Sequence, residues 1–120
     1  MTDEEKLKSV LSGAVDVPVV HRPYTGQGET FVTFYPLEDE ITLYGSNGAL
    51  RYVSNWRVVI SSRGPYDAIK LAIYQACCAA GMRIASTGPE SEKNTDTDYY
   101  TWPIDVSIMV LINRGQDARE

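Results

Sequence analysis

The chain has 120 residues, of which 43% are hydrophobic and 22% charged, and its formal net charge is -5 at pH 7. These values predict one folded domain over residues 1–120, frayed at about 1–3 and 114–120, and not a disordered segment. The acidic balance argues against a protein that grips phosphate backbones, because such binding depends on clustered lysine and arginine.

Two kinds of targeting segment are also excluded by the sequence. The acidic N-terminus lacks the basic and apolar regions of a signal peptide, so we expect no export. The longest apolar run, residues 108–112, is far shorter than the roughly 20 residues that a membrane helix needs. We therefore expect no membrane span.

The first predicted element is a helix over residues 3–12, with Thr2 or Asp3 as its cap. Its apolar residues recur at helical spacing and form one stripe: Leu7, Val10, Leu11 and Ala14. Residues 15–20 follow as a short or edge strand, because Pro18 disfavours a helix and β-branched residues dominate there.

Two strands and an exposed segment between them come next. Residues 30–35 are rich in aromatic and β-branched side chains, which predicts a strand. Residues 37–50 contain an acidic run and a Gly/Asn/Ser turn, which indicates an exposed connection or a long hairpin arm. Residues 51–62 are the clearest strand, because Tyr52, Trp56, Val58 and Ile60 alternate with polar side chains.

A second helix is predicted over residues 66–80, between Pro65 and Gly81. It is apolar on two sides. The primary stripe comprises Tyr66, Ile69, Ile73, Ala76, Cys77 and Ala80, and the opposite side carries Leu71, Tyr74 and Cys78. This second side needs a cover, which is either the first helix or a neighbouring subunit.

The rest of the chain predicts a strand over 82–86, a polar loop over 87–98 and a long strand over 99–113. The element order is α-β-β-β-α-β-β. It is typical of an α+β fold in which two helices pack on a mainly antiparallel sheet of four to five strands.

The only cysteines, Cys77 and Cys78, are adjacent within an alanine-rich stretch. They lack the paired spacing of a zinc site and cannot cross-link distant segments. We interpret them as helix-packing residues of a protein made in a reducing cytosol, with a redox-active pair as the alternative.

No catalytic, cofactor or metal site is predicted. His21 is the only histidine, and no serine elbow or cysteine nucleophile accompanies it. The Gly26-Gln27-Gly28 segment precedes a strand, whereas phosphate-binding loops follow one. The acidic loop can be a solvated surface or can bind a divalent cation through its carboxylates.

Several segments, taken in order, resemble one protein family. They are Val17-Pro18-Val19, the aromatic strand at 31–35, the 57–60 strand leading into Tyr66-Asp67-Ala68-Ile69, Gly81, Gly88-Pro89-Glu90 and the stretch from Asp96 to Tyr100. Together they look like the tail-completion or tail-terminator proteins of long-tailed bacteriophages, and the resemblance covers nearly the whole chain.

The resemblance implies a structural virion protein without enzymatic activity, assembled in the bacterial cytoplasm. Members of that family form hexameric rings that stop growth of the tail tube and dock to the head connector, while DNA passes through the bore. Such a ring would carry a formal charge of six times -5, and an acidic bore suits passage of DNA without specific binding.

Two alternatives remain at this point: a head-completion or minor tail protein of the same phages, and a small-ligand-binding domain with Trp56 and Trp102 in its pocket. For the assembly hypothesis, the candidate self-association and partner residues lie on the second helix and in the two acidic segments. They are Leu71, Tyr74, Cys78, Glu38, Asp39, Glu40, Glu90, Glu92, Asp96 and Asp98.

Overall fold

The computed structural model describes residues 2–21, 29–44, 50–91 and 99–112. Its elements are α1 Asp3–Ala14, β1 Val19–His21, β2 Thr30–Pro36, β3 Glu40–Tyr44, β4 Leu50–Ser62, α2 Asp67–Ala79, β5 Arg83–Thr87 and β6 Tyr100–Ile112. The α+β class and the predicted order are confirmed. The sheet has six strands, one more than expected, because the segment predicted as a connection or hairpin arm contains β3.

The sheet is built around β4 and β6, which pair antiparallel along all 13 residues of each strand. Its order is β1-β2-β4-β6-β5, and β3 also pairs with β4. On the side of β4 away from β6, β2 pairs with the second half of β4 and β3 with the first half. Only the short β1–β2 pairing is parallel.

The break between β2 and β3 has a clear local cause. Pro36 has no N–H to donate to the ladder, so regular pairing stops there. The Leu37 N–H then donates to the Asn55 carbonyl at 2.7 Å, and the Asn55 side-chain amide donates to the Glu38 carbonyl at 3.0 Å. β3 therefore continues along β4 after β2 ends.

The first helix, α1, begins at a capping box. The Thr2 hydroxyl accepts a hydrogen bond from the Glu5 N–H, and the Glu5 carboxylate accepts one from the Thr2 N–H. This bond to the Thr2 backbone lowers the pKa of Glu5. Leu7 and Leu11 are fully buried, as the stripe predicts, and the helix continues two residues past the predicted end.

The second helix, α2, follows Pro65 and ends before Gly81, whose φ of 80° is in the left-handed region that glycine adopts readily. Its primary stripe is confirmed, because Ile73 and Cys77 are fully buried and Tyr66 is buried at the N-cap. Neither described helix is long and apolar enough to cross a membrane.

The core lies between the two helices and one face of the sheet. Trp56, Val58 and Ile60 alternate along β4 toward this core, as predicted. Matching positions on the other strands and helices complete it: Leu7, Leu11, Val19, Val32, Phe34, Tyr66, Ile73, Cys77, Met82, Ile104, Val106 and Ile108.

Candidate functional site: two interaction surfaces

The outer side of α2 is not covered by α1. Leu71 is 55% exposed and Cys78 is also exposed. The Ala68 and Ala72 side of α2 instead faces the C-terminal end of α1, across a cleft that both helices line. The alternative in which the first helix covers Leu71 and Cys78 is thus not what the structure has.

Tyr74, the third apolar residue predicted on this side, is half-buried and held by hydrogen bonds. Its hydroxyl bonds to the Thr87 hydroxyl and accepts a second bond from Trp102 Nε1 at 3.2 Å. The same indole N–H donates to Thr87 Oγ1 at 2.7 Å. The side of α2 and the end of β5 are therefore joined through the Trp102 ring.

Lys70 completes this surface. Its ammonium lies 4.2 Å from the centre of the Trp102 ring and 3.8 Å from a carboxylate oxygen of Asp67. A cation over an indole face is a favourable contact that also orders the ring. We call this surface the shoulder, and it comprises Lys70, Leu71, Tyr74, Cys78, Thr87 and Trp102.

Gly88 lies directly against the shoulder. Its φ is 78°, and a Cβ at this position would come within 2.8 Å of Trp102 Cη2. A side chain is therefore excluded both by the backbone conformation and by the ring. The Gly88 turn is one reason why Trp102 has a fixed position.

Of the predicted acidic loop, Glu90 is described, whereas Glu92, Asp96 and Asp98 lie outside the described residues. The Tyr66 hydroxyl donates a hydrogen bond to the Glu90 carboxylate. Burial and this bond raise the pKa of Tyr66. Glu90 is thus tied to the N-cap of α2 and remains exposed.

The two tryptophans do not share a ligand pocket. Trp56 is 6% exposed and packs in the core against Phe34 and His21, with ring centroids 6.0 and 6.1 Å away. Trp102 lies on the shoulder and contacts Tyr66 instead. Trp102 lines a separate open cleft of about 360 Å³ with Tyr66 and Tyr100, and Trp56 does not, so a pocket that contains both tryptophans is not found among the described residues.

A second surface lies at the other end of the long strands. It consists of β3, β4 as far as Val53 and β6 from Met109 onward, and we call it the arm. Ile41 is 49% exposed and Met109 is 61% exposed. Ile41 pairs with Tyr52, whereas Met109 pairs with Val53, so the two exposed side chains are on opposite faces of the arm.

The base of the arm is acidic. Glu38, Asp39 and Glu40 are all exposed, as the sequence predicts. The Glu40 carboxylate accepts a hydrogen bond from Asn55 at 3.1 Å. No hydrogen bond or ion pair to the Glu38 or Asp39 carboxylate is found among the residues that the structure describes. We call these three residues the acidic knuckle.

Between the two surfaces, the sheet face opposite the helices carries a polar network. Arg57 donates two hydrogen bonds to the Asp105 carboxylate, at 2.8 and 3.1 Å, and Ser86 donates a third at 3.2 Å. The bonds from Arg57 lower the pKa of Asp105, and those to Asp105 raise the pKa of Arg57. The side chains of Arg57, Asp105 and Ser86 are thus hydrogen-bonded to one another. The network holds β4, β6 and β5 together and offers no activated base.

His21 is placed as a structural side chain. Its Nδ1 is 3.4 Å from a Glu4 carboxylate oxygen, and its ring packs against Phe34 at 5.3 Å. Nε2 is buried and has no hydrogen-bond partner among the described residues. A general base needs a nitrogen within reach of a substrate proton, and neither nitrogen is arranged in this way.

The cysteines differ from each other. Cys77 is buried and packs in the core, and burial raises its pKa to about 11, so it stays a thiol. Cys78 is exposed on the shoulder. The packing interpretation is thus confirmed for Cys77 and is wrong for Cys78. Among the described residues, no three His, Cys, Asp or Glu side chains cluster to hold a metal.

Comparison with known proteins finds a similar fold but no matching family. No protein-family model and no curated protein matches the chain. The fold is similar to that of a chain in a solved structure described as the virion of a native gene transfer agent (GTA) particle, with a TM-score of 0.50. The match covers 87% of this chain and 86% of that chain at 12% identity, which is similarity of fold alone.

Proposed function

We propose that the protein is a structural component of a phage-like virion and not an enzyme. The observation that carries this proposal is the similarity of fold, over 87% of the chain, to a chain of the gene transfer agent virion.

Within that class, we propose the tail-completion role. Six copies would form a ring at the head-proximal end of the tail tube, end tube growth and dock to the head connector. The net charge of -5 per copy supports a bore through which DNA passes without being held. The protein would then reside in the virion at the joint between head and tail, after assembly in the host cytoplasm.

The test uses purified tail-tube and connector proteins of a phage-like particle. The purified chain is added to polymerising tail tubes, and tube ends and lengths are measured by electron microscopy. We expect the chain at one end of each tube, and shorter tubes as its concentration rises. Binding to isolated connectors but not to tubes would indicate a head-completion protein, and binding to neither would contradict the virion proposal.

A further inference from the structure

We propose that the side chain of Asn55 is a latch that holds β3 on the sheet, and that β3 opens as a unit while the rest of the fold stays intact. The latch is a conformational device and does not depend on the proposed function. It is built from hydrogen bonds that join β3, β4 and β6.

All the hydrogen-bonding groups of the Asn55 side chain are used. Its amide nitrogen donates to the Glu38 carbonyl at 3.0 Å and to the Glu40 carboxylate at 3.1 Å. Its amide oxygen accepts a hydrogen bond from the Ser107 hydroxyl at 2.7 Å. Because Ser107 is buried on β6, the side chain ties the start of β3 to the central β4–β6 pair.

The backbone pairing of β3 is short and irregular. β3 has five residues, and among the described strands it pairs with β4 alone. The register shifts between Ile41 and Leu43, which interrupts the ladder in the middle of the strand. The pairing of β2 with β4, in contrast, runs without a shift from Thr30 to Pro36. Hydrogen bonds from a side chain therefore matter more for holding β3 than for holding β2.

The hydrophobic core also gives little support to the start of β3. Glu40 is exposed and Ile41 is 49% exposed, and these are the β3 residues whose side chains the structure describes. On β2, Val32 and Phe34 are fully buried. Removing β2 would expose core side chains, whereas lifting the start of β3 would break hydrogen bonds. Segments with few buried apolar contacts open at a lower free energy than the whole fold unfolds.

Opening of β3 would also change the edge of the sheet. β3 pairs with β4 over Leu50–Val53, on the side away from β6. Without β3, the backbone N–H and C=O groups on that side of β4 would lose their partners, and such an edge can accept another strand. The Asn55 latch therefore controls whether the sheet presents an edge at this place.

Hydrogen exchange of the wild-type chain, followed residue by residue by NMR, tests the separate opening. We expect the hydrogen-bonded amides of β3 to exchange faster than those of β2 and β6. Low concentrations of urea should accelerate them little, because opening of β3 exposes little surface. Equal rates and an equal urea dependence in the three strands would show that β3 opens only when the whole chain unfolds, and would overturn the proposal.

Two variants of the same hydrogen-bond network test the role of Asn55. Asn55→Asp removes both donated bonds and places a carboxylate beside Glu40, so β3 amides should exchange roughly tenfold faster than in the wild type. Ser107→Ala is the matched control, because the bond that it removes joins β4 to β6 and stays formed when β3 opens.

Ser107→Ala should therefore leave the exchange of β3 amides nearly unchanged, while amides that need global unfolding exchange faster. Equal acceleration of β3 amides in the two variants would show that Asn55 supports the β4–β6 pair and does not hold β3. The latch would then be wrong, whatever the wild-type exchange pattern.

An exchange of donor and acceptor tests the contact between Asn55 and Glu40. Glu40→Gln alone keeps an acceptor for the Asn55 amide and should have a small effect. In the double variant Asn55→Asp with Glu40→Gln, the new amide can donate to the new carboxylate. Its β3 amides should exchange more slowly than those of Asn55→Asp, as a double-mutant cycle would measure. Exchange as fast as in Asn55→Asp would contradict a latch that acts through Glu40.

Discussion

At the scale of single residues, Trp102 is the centre of the candidate site. Its indole N–H is shared between two hydroxyl groups, its face lies below the Lys70 ammonium, and Gly88 closes over its edge. The two hydrogen bonds, the Lys70 contact and the close approach of Gly88 each restrict the position of the ring. The shoulder is therefore ordered before any partner arrives, which reduces the entropy cost of binding.

The two left-handed glycines give a matched pair of variants. Gly81→Ala should lose roughly 1–2 kcal/mol of stability, because alanine disfavours this backbone conformation and the Cβ meets open space. Gly88→Ala should lose more, because its Cβ also overlaps the Trp102 ring. Denaturant unfolding followed by tryptophan fluorescence measures both losses. An equal loss in the two variants would contradict the close approach of Gly88 to Trp102.

The lowered pKa of Asp105 predicts how the stability of the fold depends on pH. Its pKa is lower in the folded chain than the unfolded value of about 4, because Arg57 donates to the carboxylate. The stabilisation is thus fully present above pH 4 and is lost as the pH falls through the folded pKa.

Asp105→Asn should therefore reduce the free energy of unfolding at pH 7 by about 1 kcal/mol or less, since Arg57 is partly exposed. The difference from the wild type should shrink below pH 4, as measured by urea unfolding at several pH values.

At the scale of elements, α2 has one side that stabilises the fold and another that is available for contact. Ile73→Ala should reduce the free energy of unfolding by about 2–5 kcal/mol, because it leaves a cavity in a filled core. Leu71→Ala should change it by less than about 0.5 kcal/mol and should instead weaken self-association. Thermal unfolding and sedimentation of the two variants separate these effects, and a large stability loss in Leu71→Ala would contradict the exposure of its side chain.

Most elements were predictable because each follows one strong local signal. The alternation of Trp56, Val58 and Ile60 gave β4, and the stripe through Ile73 and Cys77 gave α2. β3 was left ambiguous because its five residues follow a proline and an acidic run, and it is held by pairing with β4 across the hairpin. Such pairing depends on a neighbouring strand, so the preferences of the individual residues for strand or helix do not predict it.

The candidate site was only partly predictable. Leu71 and Cys78 were correctly expected to lie away from the primary stripe of α2, because helical spacing fixes that direction. The exposure of Ile41 agrees with the exposed segment predicted over residues 37–50, whereas the exposure of Met109 was not singled out, since it follows from strands much longer than the helices. Trp102 entered only through the ligand-binding alternative, because no local signal reveals that β6 brings it to Tyr74 and Thr87.

At the scale of the whole molecule, the chain is elongated, with extents of 53 × 24 × 24 Å and a radius of gyration of 16.1 Å. A compact chain of this length would have a radius of about 14 Å. Small-angle scattering at concentrations where the chain is monomeric is therefore expected to give a value near 16 Å. A value near 14 Å would show that the arm folds back onto its own chain, and would remove the basis for contact between copies.

The uninterrupted β4–β6 ladder also has a mechanical consequence. Its hydrogen bonds lie perpendicular to the strands, and the strands set the length of the molecule. A force that slides the two strands past each other would load all these hydrogen bonds at once in shear, and the bonds could not break one after another. Tension applied along the length of the molecule would therefore be carried by its longest strand pairing.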